Sequence, residues 1–518
     1  MRKIPLWLII SALVVSVLLL LPVSSLIIDS IQSESSYSET LFQMRNLKVL
    51  GTSLLLAFSC SISATIVALP LAWLSTRCQI YGQKVWTLLT ILPLVFPSFL
   101  CAYGYIAVFS SRGMLYKVTG HSIPWDIQSF FGAWLTTTFV NYPFVLMTCR
   151  AALLKQDPAL EEASRNLGKS PLETFFKVTL PLLKPAIFSG ALMVALYSLS
   201  DLGTPVLMRV KTFTYEVFSS YKNGRFEEGA ILGLLLILTA LIILYGENFF
   251  KQKGQLYSLS SGTKKPLSKI KLTALQQFCA QSYLITIFTI SVILPVGAII
   301  YWFCKGHGNE DLSRAWEALW HSTYTAFTAA ICTTIIAIPI AYLCARNKSK
   351  IAKLIDKLSF LGNATPGLVI ALALVVVFVQ VRWLYQTLFV MIIGFAIRFT
   401  PQAFAALKTT FLQISPKLEE ASRNLGQSSF KTLLKITLPL AMPGIISSLA
   451  LVFITTMKEL PITLLLSAPG KSYLPAIIWN NVEEAEYSEI AGPALMLLSI
   501  SILSLIFILQ QEKRKLDA

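Results

Sequence analysis

Charge is scarce in this chain. Asp, Glu, Lys and Arg make up 13% of its 518 residues and apolar types 55%, whereas soluble domains carry about 25% charged residues. That excludes an ordinary soluble fold and points to an integral membrane protein. Clustered redox and metal-binding side chains are missing too. The eight cysteines (Cys60, Cys78, Cys101, Cys149, Cys279, Cys304, Cys332, Cys344) are scattered in or beside apolar runs with no C-x-x-C spacing, which argues against a disulfide framework or a cysteine metal site. The three histidines (His121, His307, His321) are isolated. A membrane enzyme would need a catalytic cluster of His, Asp, Glu or Cys, and the sequence presents none. Nor does it contain a G-x-x-x-x-G-K-[ST] phosphate loop, so any ATP it depends on is bound by another chain.

Long apolar runs take up the space. A hydrocarbon core of about 30 Å needs roughly 20 apolar residues per helix. The runs fall near 6–28, 49–75, 86–110, 129–149, 185–207, 230–250, 281–304, 322–345, 356–380, 384–405, 443–466 and 489–510. Met1-Arg2-Lys3 before an apolar stretch resembles a signal peptide. However, Leu21-Pro22-Val23 recurs in mid-chain as Leu294-Pro295-Val296, so the first run reads as a transmembrane helix with a cytoplasmic N-terminus. On this topology roughly two-thirds of the Lys and Arg fall on one side, the positive-inside pattern. Topology accounts for the net charge of +17 better than nucleic-acid binding does.

The runs repeat. Leu160-Glu161-Glu162-Ala163-Ser164-Arg165-Asn166-Leu167-Gly168 recurs letter for letter from Leu418 to Gly426, an offset of 258. Pro143 matches Pro401 at that offset, while Pro70, Arg77 and Pro97 match Pro339, Arg346 and Pro366 at 269. The difference of 11 fits a longer loop in the first half around 111–128, and loops tolerate insertions. Six spans per half leave both halves in the same orientation, a parallel repeat. The expected fold is all-α and transmembrane, with twelve helices in two pseudo-symmetric six-helix halves. Residues 1–250 form the first half, with a polar loop at 150–184. A basic cytoplasmic linker, 251–280, comes next; it reads either as a tether or as a segment near anionic headgroups. Residues 281–518 form the second half, with a polar loop at 406–442.

Within each polar loop a short helix is expected. Asp157-Pro158 and Ser415-Pro416 are start signals, and Gly168 and Gly426 are stops. Leu160, Ala163 and Leu167 form a narrow apolar stripe, repeated by Leu418, Ala421 and Leu425. Ser170-Pro171-Leu172-Glu173 has the form of a capping box; the second copy, Ser428-Ser429-Phe430-Lys431, lacks its acid. A helix this short is marginal alone and needs something to dock on. Ala163, Ser164 and Gly168 let a partner backbone come close, and Glu161, Glu162 and Arg165 can pair with charges at the rim. The competing reading is an amphipathic helix on the membrane surface.

Glu162-Ala163-Ser164-x-x-x-Gly168, nine residues, then Val178-x-Leu180-Pro181 resembles the EAA motif of permease subunits of ATP-binding-cassette importers. Glu420-Ala421-Ser422, Gly426 and Ile436-x-Leu438-Pro439 match it again. Serine replaces the second alanine in both copies. The resemblance implies a type I importer permease in the inner membrane, with both motifs fused in one chain and both termini cytoplasmic. It implies docking of the loops on two copies of a separate ATPase that holds ATP and Mg, while this chain binds no cofactor. The coupling residues it implies are Glu161, Glu162, Ala163, Ser164, Arg165 and Gly168, with Glu419, Glu420, Ala421, Ser422, Arg423 and Gly426. With Asp-Leu-Gly-Thr-Pro after span five and Met-Lys-Glu-Leu-Pro-Ile-Thr after span eleven, the whole chain resembles ferric-iron permeases. Fused thiamine permeases share the architecture, and an ion-coupled secondary transporter is the reading from another class.

Polar residues within spans are costly and usually functional. Asp201, Arg398, Lys458 and Glu459 are the candidates for a translocation path, with Asp201 and Glu459 matched at 258. Their other reading is structural neutralisation. Fe(III) favours oxygen ligands, which these acids or tyrosines can offer in passing; the residues do not define a metal site. A periplasmic binding protein is expected to dock on the outer loops at Tyr221, Asn223, Trp479, Asn481, Glu483, Glu484 and Glu486, which read equally as solvated loop residues.

Overall fold

The computed structural model describes residues 5–32, 43–111, 113–122, 124–252, 269–305, 312–483 and 487–517. It is built of helices, with one two-residue parallel strand pair, Cys78–Gln79 with Ile270–Lys271. In chain order the principal helices are α1 (Leu6–Gln32), α2 (Met44–Arg77), α3 (Ser98–Phe109), α4 (Phe130–Lys155), α5 (Pro158–Asn166), α6 (Leu180–Ser200), α7 (Gly203–Leu207) and α8 (Phe226–Gln252). They continue with α9 (Ala274–Phe288), α10 (Leu294–Cys304), α11 (Leu312–Arg346), α12 (Gly367–Val379), α13 (Leu388–Gln413), α14 (Pro416–Asn424), α15 (Leu438–Met457), α16 (Pro461–Leu466) and α17 (Tyr487–Asp517). Most of the linker, 253–268, lies outside the described residues.

Nine helices among the described residues are long and apolar enough to cross a membrane, ten if the bent pair Gln83–Val95 and Ser98–Thr119 is one span. Two expected spans remain. One is α4, of 26 residues, which carries Thr136, Thr137, Thr138 and Asn141 at its middle; the other is α12, only 13 residues long. The third span of each half is therefore not the straight helix expected at 86–110 and 356–380. Pro97 and Pro366 sit as extended N-caps, because proline disfavours the helical conformation of the residue before it and cannot donate to the turn before. The helix after each proline, α3 or α12, is short and apolar on all sides. Ser98 to Val108 and Gly367 to Val375 are buried throughout, as all-round hydrophobicity requires.

The chain folds into two compact units. One comprises residues 43–215 and 238–304. Here α2, α4 and α6 pack on one another, and α10 packs along α3. A Cβ on Gly104 would lie 2.6 Å from the Pro295 Cα, so only glycine permits that approach. The other unit comprises residues 1–42, 216–237 and 305–518. Here α11, α13 and α15 form the bundle, and α1 packs along α12. Each unit thus takes its third-span partner from the opposite repeat, so the compact division differs from the division at 250 and 281.

Candidate functional site

Both duplicated motifs fold as nine-residue helices, α5 and α14. The Asp157 carboxylate accepts the Ala159 N–H at 3.0 Å, whereas Ser415 makes no side-chain cap. Both helices end in left-handed glycines, Gly168 at φ +79° and Gly426 at φ +83°. A Cβ at either would meet nothing within 4 Å, so backbone conformation, not crowding, requires glycine there. Past the first helix Ser170 and Glu173 exchange backbone-to-side-chain bonds of 3.2 Å. Past the second, Ser428 accepts the Lys431 N–H at 3.3 Å, half of that box.

The tail of the motif then widens into a π-turn, Phe175–Thr179 and Leu433–Thr437. A third π-turn, Thr289–Ile293, lies between α9 and α10. Leu-Pro comes directly after each of them, at 180–181, 438–439 and 294–295. A proline ring collides with the carbonyl four residues back, and the wider turn gives it room. The leucine N–H accordingly bonds the carbonyl five residues back.

The inward face of each short helix is polar. In the first unit Arg77 Nη2, at the end of α2, lies 3.1 Å from Glu161 Oε1, and the Thr179 hydroxyl donates to the same oxygen at 3.1 Å. Ser164 bonds Thr174 at 3.0 Å. In the other unit Arg346 reaches Glu419 Oε1 with Nη2 at 2.9 Å and Nε at 3.0 Å. Thr437 donates to Glu419 at 3.1 Å, Tyr342 donates to Glu419 Oε2 at 3.1 Å, and Ser422 bonds Thr432 at 3.0 Å. The helix is thereby latched on one side to the end of the second span and on the other to the π-turn entering the fifth.

Two of the residues expected to meet a partner, Glu161 and Ser164, are turned inward. Glu161 and Glu419 are 9% and 2% exposed, so Glu161 is occupied by Arg77 instead of standing at a rim, and Ser164 and Ser422 are buried with it. The leucine stripe points outward, with Leu167 and Leu425 79% and 83% exposed. Glu162, Ala163 and Arg165 are exposed, as is Ala421, while Glu420 and Arg423 are half-buried. Arg77, Arg346, Thr174, Thr432, Thr179, Thr437 and Tyr342 received no role from the sequence. The signal for the two arginines was their recurrence at the repeat offset.

A second matched pair lies where spans five and eleven, expected to run continuously to 207 and 466, break. Asp201 Oδ1 accepts from Ser98 Oγ at 2.9 Å and from the Gly203 N–H at 3.2 Å, joining the start of α7 to the start of α3. Glu459 Oε2 accepts the Ile462 N–H at 2.8 Å. A Cβ on Gly367 would lie 2.3 Å from Glu459 Oε1 and 3.8 Å from Arg398 Nε, so this acid lies against the start of α12. Arg398 Nη1 donates to the carbonyls of Gly362 at 3.1 Å and Thr365 at 2.6 Å. Both acids cap a short helix after a break and are turned into their own unit; Lys458 beside them is half-buried.

The family described as binding-protein-dependent transport system inner membrane component matches the chain twice, over residues 64–249 and 337–514. The chain belongs to that family. It is a multi-pass inner-membrane permease, the membrane component of a transport system. It is 31% identical to the Fe(3+)-transport system permease protein FbpB 2 of Haemophilus influenzae, over 96% of this chain and 97% of that one. It is 24% identical to the ferric transport system permease protein FbpB of Actinobacillus pleuropneumoniae, over 89% and 70%. The sulfate transport system permease protein CysT of Salmonella typhimurium matches at 25%, with 90% of its length on 47% of this chain.

The outer residues of the permease divide. Asn223 is exposed, its amide donating to the Ser219 carbonyl at 2.7 Å, and Tyr221 is half-buried against Phe226. Asn481 is half-buried. Trp479 is not a surface residue. It is 1% exposed and sits edge-on to Phe218 at 6.4 Å, because the helix Leu474–Glu483 turns that position inward. Glu483 ends that helix, and Glu484 and Glu486 lie outside the described residues.

Proposed function

We propose that this permease is the membrane channel of an ATP-driven importer that takes ferric iron from a periplasmic binding protein and passes it to the cytoplasm. The observation that carries the transport mechanism is the duplicated short helix, latched by its polar face and presenting leucines outward. The substrate rests on the names of the full-length relatives. Twelve spans in two parallel halves, with both termini cytoplasmic, fit the fused repeat; the half-length sulfate permease matching 47% of this chain supports the fusion.

Each short helix docks on one copy of a separate ATPase, which holds ATP and Mg. Leu160, Ala163, Leu167, Glu162 and Arg165 meet the first copy; Leu418, Ala421, Leu425, Glu420 and Arg423 meet the second. Glu161, Ser164, Glu419 and Ser422 serve the same coupling from behind, as positioning residues. A push on a helix pinned to α2 through Arg77 and to α6 through Thr179 tilts two spans together, whereas an unpinned loop would absorb it. Gly168 and Gly426 keep each helix at its angle. Asp201, Arg398, Lys458 and Glu459 shape the path by fixing where spans five and eleven break. The binding protein docks on the outer loops at Tyr221, Asn223, Asn481, Glu483 and Glu484.

The test is uptake of labelled ferric iron and labelled thiamine by cells with and without this chain. Loss of iron uptake alone is expected. Loss of thiamine uptake alone would keep the machine and replace its cargo, and uptake without any ATPase would identify a secondary transporter.

A further inference from the structure

The two matched acids, Glu459 buried and Asp201 half-buried, differ in what surrounds them, and the difference is systematic. Glu459 has the Arg398 guanidinium beside it. At the position matching Arg398, 258 residues earlier, the first unit has Val140, and among the described residues no ion pair to Asp201 is formed. Its Oδ2 is buried without a hydrogen-bond partner, as are the hydroxyls of Thr138, Ser198 and Thr204. These three residues are 1%, 4% and 0% exposed. Thr204 lies beside the carboxylate, and the Cys60 thiol lies beside Thr138 and Ser198 in the field of Asp201.

The hydroxyls follow the missing arginine. At the matching positions in the other unit Thr204 becomes Ile462, Thr138 becomes Ala396 and Ser98 becomes Gly367; only Ser198 keeps a hydroxyl, as Thr456. The unit with a built-in cation lacks three of these four hydroxyls, keeps Thr456 and has Thr463, which bonds the Glu459 carbonyl at 2.7 Å, where the first unit has Pro205. A carboxylate oxygen sealed from water with no counter-charge is disfavoured, and hydroxyl oxygens are ligands for hard cations. A single carboxylate among neutral oxygens balances one positive charge, which suits a monovalent ion better than a divalent one or iron in transit.

We propose that the cluster around Asp201 is a binding site for a small monovalent cation of the sodium type, held by the Asp201 carboxylate and the neighbouring hydroxyls of Thr204, Ser198 and Thr138. The ion does for Asp201 what Arg398 does for Glu459: it neutralises the acid that ties the break after α6 to the start of α3. The proposal is independent of the cargo, since it concerns occupancy and not transport.

The test uses the full chain in lipid nanodiscs, with thermal unfolding and binding of radiolabelled sodium measured in NaCl and in choline chloride at equal ionic strength and pH. Saturable stabilisation by sodium, with one ion bound per chain, is expected. Asp201→Asn should abolish binding, and Thr204→Ile, which installs the other unit's residue, should weaken it at least tenfold. Glu459→Gln should leave it intact. Val140→Arg, if it folds, should remove the sodium response by supplying the missing charge. Equal unfolding in both salts with no bound sodium would overturn the proposal. So would stabilisation that grows as pH falls at fixed sodium, which would make the Asp201 partner a proton, since sodium on the ionised carboxylate stabilises less as pH falls.

Discussion

In one unit the Arg77 guanidinium reaches Glu161 through a single nitrogen and leaves Nε and Nη1 buried without a hydrogen-bond partner. In the other, Arg346 uses Nε and Nη2 on Glu419, bonds the Ile414 carbonyl, and Tyr342 closes the second carboxylate oxygen. At the Tyr342 position the first unit has Trp73, which packs edge-on to Phe175 at 5.0 Å instead. The nine-letter motif is identical in both, so the difference comes from what receives it. A buried ion pair stabilises only when its remaining hydrogen-bonding groups are satisfied. The second latch meets that condition, and the first meets it in part.

The comparison breaks most sharply at the arginines. Arg346→Met strips a satisfied partner from a carboxylate that is almost fully buried, and should cost about 3–5 kcal/mol, read as faster hydrogen exchange across 414–437 and a lower unfolding temperature. Arg77→Met should cost less, by about 1–3 kcal/mol, because the change also removes buried donors that had no partner. Equal losses would dissolve the distinction. Tyr342→Phe should cost about 1.5–3 kcal/mol, a hydrogen bond to a charged group, while Trp73→Phe should leave the Glu161 pair untouched. Double-mutant cycles with Glu419→Gln and Glu161→Gln separate these effects.

A smaller contrast lies in the capping boxes. The Ser170 backbone N–H, and then Lys177, hold the Glu173 carboxyl below its ordinary 4.5. A depressed acid stabilises above its unfolded value and loses that contribution as pH falls through the folded one. Acidification below about 4.5 should therefore loosen 170–179 in hydrogen exchange. Residues 428–437, with Lys431 in place of the acid, should not respond. Glu173→Gln should make the two alike.

Much of this was legible in the sequence. The letter-for-letter repeat located both short helices, and Asp157-Pro158, Gly168 and Ser170-x-x-Glu173 marked their ends. The inward face was not legible. Apolar periodicity marks the stripe of Leu160, Ala163 and Leu167, but that Glu161 and Glu419 face inward depends on Arg77 and Arg346, dozens of residues away. Pro97 and Pro366 were visible as matched prolines, yet the helix break they impose depends on the apolar residues after them being enclosed. The pairing of α10 with α3 and of α1 with α12 was hidden, because helical periodicity gives the width of a buried face and not its partner. Trp479 read as an outer-loop aromatic because its contact, Phe218, lies 261 residues earlier.

The central claim is that one face of each short helix docks while the other latches. It is tested most directly by co-purifying the ATPase with Leu167→Asp/Leu425→Asp and with Glu161→Gln/Glu419→Gln permeases, while comparing ATP hydrolysis with uptake. The leucine pair, exposed and nearly neutral for stability, should lose the ATPase. The glutamate pair should retain it and hydrolyse ATP with little uptake. An ATPase that stays on the leucine variant, or leaves the glutamate variant as completely, would contradict the assignment of the two faces.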